Sequence, residues 1–455
     1  MNKLKWKILG IYEDLSYYIL GLPRFLFVWK DNKKLSLLNF FDNNVKKRPN
    51  DIAFIFEGDE ITWKEANEQT NKYAGFLKSQ NINKGDCFAI LMDNSPDFLM
   101  LLLASFRVGS LAALINTTVS GEGLKHVIGI SNVKLITAGA SHLEKLSSAL
   151  GDSDLKNIPI FGMEDNEKIP DQVEDIKKLS KQFSTFIPYQ PIMKDVAAYI
   201  FTSGTTGLPK AALVDHAKLV KGSFAGHFLC FNFNKNDRLY MTLPLYHSTG
   251  LILGWAASLR SGCPNVIKSK FSASDFWNDV KKYNVNKFIY VGELCRYLMN
   301  LPPSEGDKDN PITQISGNGL RPDIWESFQK RFNINKIVEI YGATEAVGMT
   351  INSFGRSGMI GRKRSDSTFI HCNKDDGSPI LSDKGFCTKV SEGEAGLYIQ
   401  KISSSAKFQG YLDAQASNKK ILQNVFKTGD QYFNTGDLIT PVSYTHLTLP
   451  TNGEV

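Results

Sequence analysis

Apolar and polar positions along residues 47–150 switch repeatedly between a helical and a strand-like spacing. TWKEANEQTNKYAGFLKS repeats its apolar positions at the helical period, and CFAILMD is a short apolar run typical of a buried strand. PDFLMLLLASFRVG predicts a further helix, which an arginine and a glycine end too early for a membrane span. Strands that alternate with helices in this way predict an α/β fold with a largely parallel sheet.

The pattern is interrupted and then resumes in the second half of the chain. Residues 151–190 are rich in Lys, Asp, Ser and Pro and predict a surface connection. Residues 196–201 predict another buried strand, and KFIYVGE predicts one more after a helical stretch. Turn residues between short apolar runs predict short strands over residues 352–392.

Composition narrows the class of protein only a little. The 455 residues are 42% apolar and 22% charged, which is globular composition, and the length favours two or three domains. A formal charge of +7 favours anionic ligands or a membrane surface only weakly. The six cysteines are scattered without a C-x-x-C pair, which argues against a disulfide framework or a zinc site.

The first 30 residues combine lysines with aromatic and aliphatic side chains. Acidic residues, a proline and an arginine interrupt this stretch, so it falls short of the roughly 20 apolar residues that a spanning helix needs. Basic and aromatic residues at a chain end fit a segment that lies on a membrane surface. A terminal helix packed on the domain is the alternative interpretation.

A loop rich in hydroxyls and glycines follows the strand at 196–201. Glycines permit positive φ, and successive backbone N–H groups in such a loop can form a concavity for an anion. Hydroxyl donors and a lysine on a flexible stem complete a set that suits a polyphosphate, although the spacing departs from the Walker A pattern. An ordinary surface hairpin is the alternative. The candidate residues are Thr202, Ser203, Gly204, Thr205, Thr206, Gly207 and Lys210.

Three further stretches are candidates for chemistry. GNGLRP (317–322) is glycine-rich but lacks the third glycine of a dinucleotide fingerprint. In IVEIYGATEAVG, Tyr341 can stack on a base at the end of a strand, and Glu345 can hold Mg²⁺ beside phosphates. In YFNTGDLI, Asp437 is a plausible acceptor for sugar hydroxyls. Each stretch, taken alone, is as readily structural.

Taken together and in this order, TSGTTGLPK, YGATE and TGD resemble the motifs of the adenylate-forming (ANL, AMP-binding) superfamily. LPLYHSTGLILG and FQGYLDAQASNKKILQNVFKTGDQYFNTGDL resemble the group of the fatty acid transport proteins and very-long-chain acyl-CoA synthetases. The resemblance covers roughly residues 47–438.

The resemblance implies a fold and a division of the chain. The fold is an α/β, ANL-type large N-terminal domain with mixed sheets sandwiched by helices and a small β-barrel-like part. Residues 1–46 are a membrane-associating segment, and 47–438 are the AMP-binding adenylation domain. Residues 439–455 are expected to be an aberrant tail, an artefact in place of the hinge and small C-terminal domain. We therefore expect the chain as given to be impaired in ligase turnover.

The resemblance also implies the reaction. A fatty carboxylate attacks the α-phosphorus of ATP, pyrophosphate leaves, and the thiol of coenzyme A then displaces AMP from the acyl-adenylate. ATP, Mg²⁺ and coenzyme A are the implied cofactors. The loop at 202–210, with Lys210, would neutralise the β- and γ-phosphates, Thr344 would contact the α-phosphate, and Glu345 would hold Mg²⁺.

Other positions are assigned by the same resemblance. The nucleotide would meet Tyr341, which stacks on adenine, and Asp437, which binds ribose hydroxyls. His247 would lie near the reacting carboxylate, and its alternative is a satisfied histidine under a loop. The remaining residues expected to line the nucleotide pocket are Gly317, Asn318, Gly319 and Gly342.

The function implied is activation of long- or very-long-chain fatty acids to acyl-CoA, coupled to fatty acid uptake. The partners are long-chain fatty acid, ATP, coenzyme A and a membrane surface, without nucleic acid. The implied location is the endoplasmic reticulum, plasma membrane or peroxisome, with the catalytic domain facing the cytosol. A membrane-associated fatty acid carrier without ligase turnover and a bile-acid or short-acid CoA ligase are the alternatives.

Overall fold

Helices and strands alternate through the residues that the computed structural model describes, which are 31–151, 153–184, 186, 188–202, 207–403, 406–443 and 446–448. The strands in chain order are β1 Ile52–Phe56, β2 Asp59–Thr62, β3 Cys87–Leu91, β4 Leu111–Leu114, β5 Ile136–Gly139, β6 Ile160–Met163, β7 Glu174–Asp175, β8 Val196–Thr202, β9 Lys210–Asp215, β10 Leu239–Met241, β11 Asn265–Ile267, β12 Lys287–Val291, β13 Gln314–Asn318, β14 Lys336–Tyr341, β15 Thr350–Asn352, β16 Gly361–Arg362, β17 Ser367–Ile370, β18 Gly396–Lys401, β19 Ile421–Gln423, β20 Gln431–Ser443 and β21 His446–Thr448.

The helices begin and end largely at the signals that helix termini require. Ser95 caps the helix that starts at Pro96, and Gly109, with a φ of +83°, ends it. The α-helices in chain order are α1 Leu37–Lys47, α2 Trp63–Ser79, α3 Pro96–Val108, α4 Gly121–Ser131, α5 Leu143–Leu150, α6 Ile176–Ser180, α7 His216–Ala225, α8 Ala256–Ser261, α9 Phe276–Lys282, α10 Gly292–Met299, α11 Pro322–Arg331 and α12 Ala414–Lys419. Two π-helical segments, Gly226–Phe231 and Thr249–Trp255, lie next to α7 and α8.

Two large sheets carry most of the parallel pairing. One has seven strands in the order β7-β6-β5-β3-β4-β8-β9, and only β9 runs antiparallel to its neighbour. The other has eight strands in the order β15-β14-β13-β12-β10-β11-β1-β2, with antiparallel pairing only at its two ends. The prediction of an α/β fold with largely parallel sheets is confirmed.

The seven-stranded sheet is buried on both faces. Along β3, Phe88 and Ile90 belong to the main core, which also contains side chains of the eight-stranded sheet and of α2 and α3. The alternate residues Cys87, Ala89 and Leu91 belong to a second core with α4 and α5. This period of two explains why CFAIL is apolar throughout, since both faces of the strand pack against protein.

A third, smaller sheet is antiparallel and contains the long strand β20. Its order is β16-β21-β20-β18-β17, and β19 also pairs with β20. Ile439 and Leu447 are buried with Tyr398 in a small cluster of their own. The strand β20 therefore runs through the predicted boundary at residue 438, and the predicted division of the chain stays a prediction.

The predicted surface connection over residues 151–190 is wrong in part. Residues Ile160–Met163 form β6, which pairs in parallel with β5 inside the seven-stranded sheet. Phe161 and Met163 are buried in the main core. A strand of only four residues between polar loops is too short to show a hydrophobic period. The polar composition of the surrounding residues therefore favoured a surface connection.

The described part of the N-terminal region packs on the domain. Leu37, Leu38 and Phe41 of α1 lie in the main core, and Ser36 caps the helix. Residues 1–30, on which the predicted membrane contact depends, lie outside the described residues. Within the described ranges, no helix combines the length and apolar character that crossing a bilayer requires.

Candidate active site

The carboxyl ends of several parallel strands of the two large sheets lie in one region, here called the cleft. Thr202 ends β8 in the seven-stranded sheet, whereas Asn318 and Tyr341 end β13 and β14 in the eight-stranded sheet. Ligands of open α/β proteins bind at such edges, because loops that leave neighbouring strands diverge there. The fold thus brings stretches that are far apart in sequence to one place.

The predicted phosphate loop is a hairpin between β8 and β9. Thr202 pairs directly with Lys210, which begins the second strand, as the sequence indicated. Gly207 has a φ of +88°, a conformation that favours glycine. The described residues do not include Ser203, Gly204, Thr205 and Thr206, so their predicted contact with phosphate stays a prediction.

Thr344 and Glu345 are held from three directions. The hydroxyl of Ser248 lies 2.9 Å from the Thr344 hydroxyl, and the Lys218 ammonium donates to the Thr344 backbone carbonyl. The hydroxyl of Tyr411 donates to Oε1 of the buried Glu345 at 2.6 Å. Burying the Glu345 carboxylate without such hydrogen-bond partners would cost free energy of folding.

Tyr411 connects this carboxylate to the hairpin between β8 and β9. Its side chain also hydrogen-bonds with Thr202, and its ring centroid lies 5.8 Å from the ammonium of Lys210. Its neighbours Gly410 and Leu412 hydrogen-bond to β9 through their backbones. Burial and the Glu345 carboxylate raise the pKa of the Tyr411 phenol, so it remains a hydrogen-bond donor.

Tyr341 and Asp437 meet although they are 96 residues apart and belong to different sheets. The phenol of Tyr341 donates to Oδ2 of Asp437, and burial together with that carboxylate raises the pKa of the phenol. Gly436, with a φ of +85°, turns the strand just before Asp437. The residues predicted to bind adenine and ribose are therefore neighbours, as one nucleoside would require.

The glycine turn at the end of β13 lies against β12. A Cβ on Gly317 would come within 1.9 Å of the Tyr290 carbonyl oxygen, so no larger residue fits there. Asn318 accepts a hydrogen bond from Thr249 at 3.4 Å, and Gly319 is exposed with a φ of +81°. The turn brings exposed backbone to the edge of the cleft.

The turn is supported by Glu339, a residue that the sequence analysis missed. Its carboxylate accepts from the Tyr290 hydroxyl at 2.5 Å, from the Leu320 N–H at 3.3 Å and from the Gly319 N–H. Burial raises the pKa of Glu339 to about 8, and these three donors oppose that shift. The sequence signal that could have indicated this role is a glutamate inside an apolar strand, since buried carboxylates are rare unless they are paired.

His247 lies on the loop that reaches Thr344, but its own side chain is exposed. Its backbone N–H donates to Pro244 at 3.1 Å, and its ring centroid lies 4.8 Å from that of Tyr246. Surrounding protein atoms still lower the pKa of the imidazole. The contact with Thr344 comes from the next residue, Ser248, and the role of His247 stays a prediction.

Lys218, Ser248 and Tyr411 were also missed by sequence reasoning. A single lysine in a helix usually marks a solvated face, and a single serine or tyrosine carries no pattern. Lys218 is half-buried as a residue, but its ammonium lies deep enough that burial lowers its pKa to about 8, while Asp215 and Glu345 oppose the shift.

The donor set favours a cation that is shared with a ligand. Among the described residues, no three His, Cys, Asp or Glu side chains are grouped closely enough to hold a metal by themselves. Magnesium commonly binds through one or two carboxylates and takes its other ligands from phosphates and water. Glu345 is suited to be such a carboxylate.

The parallel sheets and the polar residues near their strand ends agree with the adenylate-forming class that the motifs resemble. The chain belongs to the family described as AMP-binding enzyme, whose model matches residues 41–374. Within it, the chain is 36% identical to long-chain fatty acid transport protein 6 of Mus musculus over 443 residues, which are 94% of this chain and 71% of that protein. The prediction of this family is confirmed.

A bacterial relative agrees with this membership, and two solved structures share the fold. The medium/long-chain-fatty-acid–CoA ligase FadD6 of Mycobacterium tuberculosis is 31% identical over 420 residues, covering 92% of this chain and 69% of that protein. ATP-bound MatB from Rhodopseudomonas palustris has a TM-score of 0.74 at 19% identity, covering 91% of this chain and 78% of that chain. The inhibitor-bound N-terminal domain of FACL13 from M. tuberculosis has the same TM-score at 19% identity, covering 91% and 99%. These structures show the fold, an ANL-type N-terminal domain, as predicted.

Proposed function

We propose that the protein is an ATP-dependent ligase that converts long- or very-long-chain fatty acids to acyl-CoA. The observation that carries the proposal is the grouping of Thr344 and Glu345 with Lys210, which Tyr411 links across the cleft, together with the paired Tyr341 and Asp437. Triphosphate and nucleoside would each find suitable partners there. Relatives named for long-chain fatty acids support the choice of acid.

The reaction follows in two balanced steps. A carboxylate oxygen of the fatty acid bonds to the α-phosphorus of ATP, the bond to the bridging oxygen breaks, and pyrophosphate leaves. The sulfur of coenzyme A then bonds to the acyl carbon, AMP leaves as the carbon–oxygen bond breaks, and the thiol proton passes to solvent or AMP. Charge develops on phosphate oxygens in the first step, so donors held ready beside them lower the barrier.

Each residue has a proposed part in the first step. The Lys210 ammonium would neutralise charge on the leaving pyrophosphate, and the Thr344 hydroxyl, oriented by Ser248, would donate to the α-phosphate. Tyr341 would offer its ring to adenine. Asp437 would accept from the ribose hydroxyls, with its other oxygen already fixed by the Tyr341 phenol.

The residues present fit a magnesium ion. Glu345 offers a hard oxygen ligand, and Tyr411 occupies Oε1 only, which leaves the carboxylate able to turn Oε2 towards a cation. When bound, Mg²⁺ would neutralise charge shared between the phosphates. Glu345 is the residue we propose to hold it.

The proposed function is tested with the purified protein, ATP, Mg²⁺ and a series of acids. We expect pyrophosphate exchange into ATP that depends on oleate or lignocerate, and acyl-CoA when coenzyme A is added, both at a reduced rate because turnover of the chain as given is expected to be impaired. Acetate and cholate are the matched alternative substrates, and a preference for either would favour a short-acid or bile-acid ligase. Fatty acid binding without exchange would contradict ligase activity and favour a carrier.

We further propose that residues 1–30 bind a membrane surface, so that esterification traps fatty acid arriving from the bilayer on the cytosolic side. The lysines, tryptophans and aliphatic residues of that stretch support this, because basic and apolar groups together bind anionic interfaces. Deleting residues 1–30 is expected to move the protein from vesicles of anionic lipid to the supernatant in sedimentation. Vesicle binding that survives the deletion, with the melting temperature unchanged, would locate the contact elsewhere.

A further inference from the structure

A single lysine bridges the two large sheets across the cleft. Lys218 lies on α7, which follows the phosphate hairpin, and its ammonium donates to the backbone carbonyl of Thr344, 126 residues further along the chain. Thr344 belongs to the loop after β14 of the other sheet. The bond therefore joins the hairpin side of the cleft to the loop that carries Thr344 and Glu345.

The helix that carries Lys218 is itself fixed at its start. Asp215 caps α7, and its Oδ1 accepts from the Lys218 N–H at 2.7 Å. Its Oδ2 accepts from the Gln409 amide at 2.6 Å, two residues before Tyr411. Tyr411 in turn donates to Glu345. Together these hydrogen bonds form a closed ring that links α7, the Thr344–Glu345 loop and the segment at 409–411. The ring fixes the position of the Lys218 ammonium.

Each functional group of the Thr344–Glu345 pair is contacted by a different side chain. Ser248 lies against the hydroxyl of Thr344, and Tyr411 donates to the carboxylate of Glu345. Lys218 holds the peptide carbonyl between them. Rotation of that peptide would swing both side chains at once, so the carbonyl is the place where one bond controls two groups.

We propose that Lys218 is a positioning residue for adenylation, which orients Thr344 and Glu345 through the carbonyl of Thr344. The inference rests on the proposed function, since it assigns no new reaction. A charged donor suits the task, because hydrogen bonds to a charged group are about twice as strong as neutral ones. The positive charge also lies near Glu345, where it offsets a buried negative charge before any ligand binds.

Lys218→Met tests the proposal, because methionine keeps much of the length and removes the charge and the donors. We expect kcat for oleate-dependent pyrophosphate exchange to fall about tenfold to a hundredfold, because small displacements of catalytic groups lower reaction rates by such factors. KM for ATP should change much less, since the nucleoside and hairpin contacts remain. Lys218→Arg restores a cation of similar reach and is expected to recover a large part of kcat.

Lys235→Met is the matched control, since Lys235 is exposed on the turn before the amino end of β10, whereas the candidate site lies at the carboxyl ends of strands. It should leave kcat, KM and the melting temperature unchanged. Wild-type kcat in Lys218→Met, or a change confined to KM, would overturn the proposal. So would a loss of kcat that Lys218→Arg fails to recover at an unchanged melting temperature.

Two further measurements separate this inference from the proposed function. If Lys218→Met does not fold, Ser248→Ala tests the same orientation from the hydroxyl side, and an unchanged kcat there would count against it. If the wild type shows no turnover on any acid, the proposed function fails by itself. Binding of a non-reactive acyl-sulfamoyl adenosine then decides the inference, with weaker binding by Lys218→Met expected and equal binding contradicting it.

Discussion

Replacing Lys210 by methionine is expected to slow adenylation by about 5- to 150-fold, which corresponds to about 1–3 kcal/mol for a lost charge-assisted contact. The physical reason is the position of Lys210 at the start of β9, directly paired with Thr202 at the end of the phosphate hairpin. Methionine keeps the strand and removes only the cation. The loss should appear in KM for ATP and in kcat together, because phosphate charge is present before and during the reaction.

Pyrophosphate exchange at saturating oleate measures this effect, with ATP varied. Lys64→Met is the control, because Lys64 is an exposed lysine on the surface of α2. Exchange at the wild-type rate in Lys210→Met would remove Lys210 from the site. A lower melting temperature in the same variant would instead indicate a structural role for its 5.8 Å contact with the Tyr411 ring.

Replacing Glu345 by glutamine is expected to raise the Mg²⁺ concentration that exchange requires by at least about tenfold. Losing even a residue that hydrogen-bonds to a metal ligand typically lowers metal affinity by that factor. The amide keeps the shape of the side chain. Its oxygen can still accept from Tyr411, which lies 2.6 Å from Oε1, so the local fold should persist. What is lost is the negative charge that Mg²⁺ prefers.

The measurement is a Mg²⁺ titration of the initial exchange rate at fixed ATP and oleate. Glu326→Gln, an exposed position on α11, is the matched control and should titrate like the wild type. A titration curve for Glu345→Gln that coincides with the wild-type curve would mean that Glu345 is structural. Tyr411→Phe removes the hydrogen bond that Glu345→Gln keeps, so Tyr411→Phe should lower the melting temperature more than Glu345→Gln does.

The candidate site was only partly predictable. Local patterns made candidates of the loop with glycines, hydroxyls and a lysine, of Tyr341 at a strand end and of Asp437 after a turn, and their order along the chain indicated the family. Glu339 lies in an apolar strand, and its role depends on hydrogen bonds from Tyr290 of β12 and from two backbone N–H groups of the turn after β13. Such partners come from sheet pairing, which a single sequence does not display.

The sequence by itself determined the class of fold and the family, because hydrophobic period, turn residues and ordered motifs are local properties of the chain. Only the tertiary structure decided that Tyr341 meets Asp437 and that Lys218 reaches Thr344. The contacts join residues that are 96 and 126 positions apart in the chain. Their distance depends on how the sheets pack, and packing is a sum over many buried side chains that no short pattern encodes.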